Sequence, residues 1–249
     1  RPEFALCTIS GNLASESGGG IYCEDSLETT ITNTIIWDSY PEQIKKDDDS
    51  TVLVTYSDVQ GGWLGDDNID EDPCFAALGY WADVNDTNII VEPSDPNAVW
   101  MDGNYRLLPF SLCIDAGDPD YIAGPNETDL DGNPRMVDGN DDGNSVVDMG
   151  AYESNPVDAS LQILPRVINR RAGRQYIIAI VHLPEGIRRS DIDANEPLIL
   201  YPSLIEAERQ YILGGRGRAG NTRVLAFFDK AELMVTVGGN DPTLLQAVG

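Results

Sequence analysis

The chain has 249 residues, room for one large domain or two of ordinary size, and 41% of them are hydrophobic, too many for a mainly disordered protein. Its 42 acidic and 16 basic residues give a net charge of −26, a surface that repels nucleic-acid phosphates and anionic lipid headgroups and favours hard, oxygen-seeking cations. No apolar run approaches the roughly 18 residues of a membrane helix and no charged-then-apolar leader opens the chain, so a soluble protein without membrane insertion is expected, either never exported or already trimmed of its signal.

The first 65 residues carry a loose repeat. "TISGN" (8–12), "IIWDS" (35–39) and "DVQGG" (58–62) each set an apolar residue before a polar or Gly/Asn turn, and aligning Ile9, Ile36 and Val59 gives offsets of 27 and 23 residues. A period in that range indicates stacked units that bury a face only against their neighbours. The runs between, "GGGIYC", "TTITNTIIW" and "STVLVTYSDV", are β-branched with period-2 stretches, so the units are strands. Asn and Gly at the corners tolerate the left-handed backbone of tight turns.

Further along, the acidic run "DDNIDED" (66–72) precedes Cys74, and "DLDGNPRMVDGNDDGNSVVDMGAYE" (129–153) packs carboxylates and glycines before an aromatic ending. Asp138, Asn140 and Asp142 followed by Gly143 and Asn144 match the front half of a calcium loop, with alternating oxygen side chains to wrap one ion and glycine for the sharp turn. The twelfth position is Met149, with Asp148 one place early, which excludes an EF-hand; Asp129 and Asp131 offer further oxygens. The bland alternative is a solvated loop of Asx turns. Calcium, bound by these seven side chains, is the expected cofactor. The four cysteines (Cys7, Cys23, Cys74, Cys113) are too far apart for a CxxC site; they read either as buried thiols or, for Cys74 and Cys113, as a bridge in an oxidising compartment.

"CTISGN", "SGGGIYC", "TITNTIIW", "YSDVQGGW" and "NIDEDPCF" together resemble the last rungs of bacterial and archaeal right-handed parallel β-helix repeat proteins of the pectate-lyase-like group. "YRLLPFSLCIDAGDPD" and "DMGAYE" look like the segment that closes such helices at their C-terminal end. The resemblance implies an all-β solenoid over most of residues 4–153, in a group that includes polysaccharide lyases and glycoside hydrolases.

Residues 1–156 hold 32 acidic and five basic residues and residues 157–249 hold 10 and 11, so charge changes abruptly at the loop-like "ESNPVD". That shift divides the chain into an acidic domain, 1–156, and a second domain, 157–249. In the second, "ASLQILP", "RQYIIAIVHLP", "EPLILYP", "RQYILGG", "TRVLAFFD" and "ELMVTVGG" read as short strands between Gly, Pro and Asn/Asp turns, an immunoglobulin-like β-sandwich resembling modules appended to bacterial surface proteins.

Catalytic signals are poor. Lyase chemistry wants a basic residue in a long groove, but Lys45–Lys46 lies beside "DDDS" as a charge-balanced turn, and the single histidine, His182, lies in an apolar strand of the second domain. Trp37, Trp63, Trp81 and Trp100 read as core or corner residues more readily than as a sugar platform. The start at "RPEFALCTIS", already inside a rung, suggests a fragment or an uncapped end that stacks on another molecule.

The expectation is therefore a non-catalytic, extracellular or cell-surface protein of bacterial or archaeal type, structural or adhesive. It would assemble with copies of itself into filaments or surface layers through its N-terminal rungs and C-terminal strands, with carbohydrate as a further partner. The alternative is the C-terminal fragment of a carbohydrate-active β-helix enzyme, a polysaccharide lyase or glycoside hydrolase.

Overall fold

Ile9 pairs with Ile36 and Ile36 with Val59, so the sequence repeat is the register of a parallel sheet. In a computed structural model that describes all residues except 26–27, 158, 169–174, 193, 195–196, 202–204, 215–221, 237–245 and 249, the regular secondary structure is almost all β-strand. Eight short strands open the chain: β1 (Glu3–Ala5), β2 (Thr8–Ser10), β3 (Ile21–Cys23), β4 (Thr29–Thr32), β5 (Ile35–Trp37), β6 (Ile44–Lys46), β7 (Val52–Thr55) and β8 (Asp58–Val59). They form three parallel sheets, ordered β1-β4-β7, β2-β5-β8 and β3-β6.

Each repeat bends at two residues in the left-handed region. Leu6, Asn33 and Tyr56 form one set (φ 54°, 48° and 49°), and Gly11, Asp38 and Gly61 the other (φ 67°, 53° and 85°). Both sets keep the sheet offsets of 27 and 23 residues. Only Gly is free of strain there, with Asn and Asp next best, so Leu6 and Tyr56 are held by their neighbours. The holding contact is a ladder of side-chain oxygens. The amide of Cys7 donates to Thr34 Oγ1, that of Thr34 to Ser57 Oγ, and that of Ser57 to Asn68 Oδ1. Each hydroxyl also donates backward, Thr34 to Thr32 O (2.9 Å) and Ser57 to Thr55 O (2.8 Å). At Gly11 a side chain would also collide with the Trp100 ring, 2.5 Å from where its Cβ would lie.

Side chains facing between the sheets build the first core: Ile21, Ile31, Ile36, Ile44, Val52, Val54 and Val59. Ile35, one residue from Ile36, faces the other way and is equally buried, against Phe75, Cys113 and Met149.

Residues 75–107 depart from the repeat as antiparallel strands: β9 (Phe75–Ala77), β10 (Tyr80–Asp83), β11 (Asp86–Ile90), β12 (Ala98–Met101) and β13 (Asn104–Leu107). β10 lies between β11 and β12, and β13 pairs with β9.

The segment expected to close the repeat at its C-terminal end instead runs across the side of the repeats. Ala151 N donates to Thr8 Oγ1, Gly150 N to Asn33 O, Asp118 N to Asn33 Oδ1, and the Cys113 thiol to Asp58 Oδ2. It therefore touches three successive repeats and covers the outward-facing Ile35. The cause is close packing: at Gly150 (φ 103°) an added Cβ would lie 2.9 Å from Ile35 Cδ1.

The chain divides into two compact units, Arg1–Pro156 and Val157–Gly249. The second holds β14 (Ser160–Leu164), β15 (Tyr176–His182), β16 (Ile199–Tyr201), β17 (Ile205–Glu206), β18 (Arg209–Leu213), β19 (Arg223–Asp229), helix α1 (Lys230–Thr236) and β20 (Gln246–Val248). Two antiparallel sheets, β14-β15-β19-β18 and β17-β16-β20, share one core that includes Ile177, Ala179, Leu198, Leu200, Ala226 and Phe228. "ELMVTVGG", expected as a strand, begins as the end of helix α1. Asp229 caps it, Oδ1 accepting the amides of Ala231 (2.6 Å) and Glu232 (3.2 Å), and Leu233 buries itself in the core while Val235 is exposed.

The ladder is testable. Thr34 is fully buried, and Thr34→Val keeps its shape but strips the acceptor from the Cys7 amide. The expected cost is about 1–3 kcal/mol in urea unfolding, while Thr51→Val at an exposed position leaves the midpoint nearly unchanged. Equal midpoints for the two variants would show that the ladder holds nothing.

Candidate functional site

From Leu108 to Pro156 no residue lies in a named strand, and only the isolated bridges Thr128–Pro134 and Val137–Val146 pair backbone to backbone in the strand manner. Amides there still need acceptors. Carboxylates supply many of them. Asp148, fully buried, accepts the amide of Asp115 on Oδ1 (2.8 Å) and that of Ser154 on Oδ2. Asp115 in turn accepts the amides of Gly139 (3.0 Å), Asn140 (2.9 Å) and Val146 (3.3 Å), fixing the base of the next loop.

That loop is the one read from the sequence as calcium-binding. Asp138 accepts the amides of Asp142 (3.0 Å) and Gly143 (2.9 Å), Asn140 Oδ1 that of Asp142 (2.9 Å), and Asp142 Oδ1 that of Asn144 (2.8 Å). The loop is mostly exposed, with Asp141 and Gly143 at positive φ. The seven oxygen side chains named from the sequence do not form one set. Asp138, Asn140, Asp142 and Asn144 share this loop; Asp131 is clamped by Arg106 (2.6 and 2.7 Å); Asp129 and Asp148 are buried on backbone amides. Among the described residues, no three His, Cys, Asp or Glu side chains stand close enough to hold a metal.

Four charged groups are buried together. Glu153 Oε1 lies 3.6 Å from Arg135 Nη1, both Glu153 oxygens take the amide of Asp148 (3.4 Å), and the amide of Glu153 donates to Asp129 Oδ2 (3.0 Å). Arg135 Nε and Nη1 have no hydrogen-bond partner. Burial pushes the Asp148 carboxyl up to about 7, and burial and the Asp148 charge push Glu153 up to about 8. Asp129 goes the other way. Burial raises it, but the amides of Glu153, Asn133 and Asp131 and the Asn133 side chain outweigh burial and hold it below its ordinary value.

Asp58, fully buried in β8, accepts the Cys113 thiol (3.3 Å) and the Glu71 amide (3.3 Å), and burial pushes its carboxyl up to about 7. Burial and Asp58 also raise the Cys113 thiol. Cys74 donates to Asp72 O (3.3 Å), and all four cysteines are free. Cys74 and Cys113, considered from the sequence as a bridge, stand in the structure as separate thiols.

A shallow groove of about 390 Å³ lies elsewhere, lined by Pro41, Glu42, Gln60, Gly62 and Trp63 among others. Its one carboxylate, Glu42, stands 4.0 Å from Lys45. Trp63 leans on the first core and Trp37 on the Ile35 cluster, while Trp81 and Trp100 meet edge-on at 5.4 Å across β10 and β12.

Sequence reasoning missed Asp58, Asp115 and Glu153, which hold the cross-repeat segment in place. Asp58 is the counterpart of Ile35 in the sheet register, a polar residue where the neighbouring repeat is apolar, and that break was the available signal. For Asp115 and Glu153 no local pattern separates them from the other acids.

No family model, no curated protein and no solved structure matches this chain.

The raised carboxyls fix the sign of the pH dependence. Asp58, Asp148 and Glu153 bind their protons more tightly folded than unfolded, so their stabilisation is complete below about pH 4, their unfolded range, and is lost as pH rises through 7 to 8. Asp129, held low, opposes this only in acid, where its contribution disappears. Unfolding free energy is expected to peak near pH 4 and fall by a few kcal/mol by about pH 8.5. Asp58→Asn, which keeps an acceptor for Glu71, flattens that slope. A profile flat from pH 5 to 8.5 would refute the burial of these acids.

Proposed function

We propose that the protein is a non-catalytic structural or adhesive component of a cell surface or filament. The fold reading is an acidic right-handed parallel β-helix followed by an immunoglobulin-like sandwich. Three parallel sheets whose strands and left-handed corners recur at common offsets support the helix, and two antiparallel sheets over one core support the sandwich. The observation that carries the function is the use of the buried carboxylates. Buried Asp58, Asp129 and Asp148 and half-buried Asp115 each accept backbone amides, so they act as scaffold where an acid–base pair would need free oxygens.

Self-association rests on strand edges. Among the described residues, β1, β2, β14, β18, β17 and β20 each have a strand partner on one side only. Such edges pair with another chain unless they are covered. The extracellular, bacterial or archaeal setting follows from the resemblance of the rungs and from the acidic surface. Light scattering at micromolar concentration with calcium present is expected to show oligomers or filaments; a stable monomer would sink this reading.

Calcium belongs to the reading through the loop of Asp138, Asn140, Asp142 and Asn144. Its amide bonds, first position to fifth and sixth, preset the turn that a calcium loop needs. Asp148, Asp129 and Asp131 are committed elsewhere, so the ion would be finished by carbonyl and water oxygens. Calcium at about 100 times its dissociation constant adds about 2.7 kcal/mol, seen as a higher melting temperature that chelator reverses. Identical melting with calcium and with chelator would leave the loop merely solvated.

The second reading, a fragment of a carbohydrate-active enzyme, has the Trp63–Gln60–Glu42 groove in its favour. Turnover of a polysaccharide by the purified chain would replace the first reading with this one.

A further inference from the structure

Sheets with one face in water alternate apolar and polar residues. β15 does not. Its inward residues Ile177, Ala179 and Val181 are buried, and its outward residues include Ile178 and Ile180, which remain partly exposed. Sheet register extends this outward face. Ile178 pairs with Phe227, which pairs with Arg209; Ile180 pairs with Leu225, which pairs with Tyr211; His182 pairs with Arg223, which pairs with Leu213. Leu164 and Gln162 continue two of these rows on β14. Tyr211 and Leu213 are 50% and 48% exposed. A continuous apolar run is the pattern of a strand covered on both faces, and here one cover is missing among the described residues.

The charge of the face is opposite to that of the chain. Arg209 is stacked on the rings of Tyr176 (4.8 Å) and Phe227 (5.4 Å), Arg223 is exposed, and His182 lies beside it. The one acid in these rows, Asp229, is engaged in capping helix α1. Tyr176 and Tyr211 meet Phe227 edge-on, at 89° and 88°, so the rings make no flat platform for a sugar.

The same chain carries a complementary surface. β11 is exposed along its whole length and pairs on one side only, with β10. It presents Ile89 (51% exposed) and Ile90 (74%), with Val84 (60%) in the preceding turn. Residues 79–101 contain Asp83, Asp86, Glu92 and Asp95 and no basic residue.

We infer that the outer face of sheet β14-β15-β19-β18 is a docking surface for the acidic, apolar edge strand β11 of a second copy. The two surfaces differ, so the contact is head-to-tail and propagates from copy to copy. It deepens the self-assembly reading and rests on it, but it uses neither the edges of β1 and β2 nor those of the sandwich.

The test uses two full-length variants in sedimentation over a range of concentration and salt. One carries Tyr211→Asp and Leu213→Asp, the other Ile89→Asp and Ile90→Asp, all at exposed positions; unchanged melting temperatures verify folding. Each variant alone is expected to lose self-association by about tenfold or more in dissociation constant, since buried aromatic and aliphatic anchors dominate such contacts. Mixing them restores one intact face and one intact strand, giving a dimer that cannot grow. Undiminished assembly of either variant overturns the inference and leaves assembly through the other edges standing. A mixture without dimers overturns it as well. A monomeric wild-type chain overturns both readings together.

Discussion

Every buried backbone amide must find an acceptor, and in the first unit strands of two to five residues cannot supply enough of them. Side-chain oxygens make up the difference. At the corners these are the hydroxyls of Thr34 and Ser57 and the amide of Asn68, one per repeat. In the turns they are aspartates reaching two residues ahead, as Asp83 does to Asn85, Asp86 to Asn88 and Asp95 to Asn97. Across the flank they are the buried carboxylates. The net charge of −26 is in good part the consequence, because an ionised carboxylate accepts at two oxygens without needing a donor of its own.

That solution conflicts with burial, and between Asp129 and Asp148 the number of donors separates the two outcomes. Asp129 and Asp148 are both sequestered, with 6% and 0% exposure. Asp129 receives four hydrogen bonds and is held ionised; Asp148 receives two and faces Asp115, so its proton is retained to about 7. Arg135 relieves this only in part, at 3.6 Å from Glu153 and without a hydrogen bond from Nε. Leaving one polar atom unsatisfied costs about 1–3 kcal/mol. Here that cost sits beside the segment that ties Thr8, Asn33 and Asp58 together.

The sequence made the repeat legible because parallel register preserves spacing. Ile9, Ile36 and Val59 align in the chain and in the sheet, and the corner residues follow the same offsets. It did not reveal that Ile35 faces outward, since Ile35 and Ile36 are equally apolar and differ only in which body covers them. That second cover comes from residues about 80 and 115 positions further on, Cys113 and Met149, beyond the reach of any local pattern. Helix α1 escapes a reading by pattern because "ELMVTV" suits either state, and the deciding signals are the Asp229 cap and the burial of Leu233. The aspartate-rich loop was legible as a set of oxygens, while their division between an exposed turn, an Arg106 clamp and a buried network depended on contacts across the unit.

Ile35 also gives a measure for the second unit. A sheet residue that is apolar and faces away from its own core has a cover, and in the first unit that cover is the segment carrying Cys113 and Met149. Ile178, Ile180, Leu225 and Phe227 are in the same position on the outer face of β15 and β19, and no described segment lies over Tyr211 and Leu213 beside them. At about 25 cal/mol per Å², leaving such a face in water forgoes stabilisation that a cover would supply. Arg209 and Arg223 set among those apolar rows add a charge that an acidic neighbour can answer. The same rule that places a cover on Ile35 calls for one here, and that is the ground on which we propose the acidic, apolar edge of a second copy as the cover.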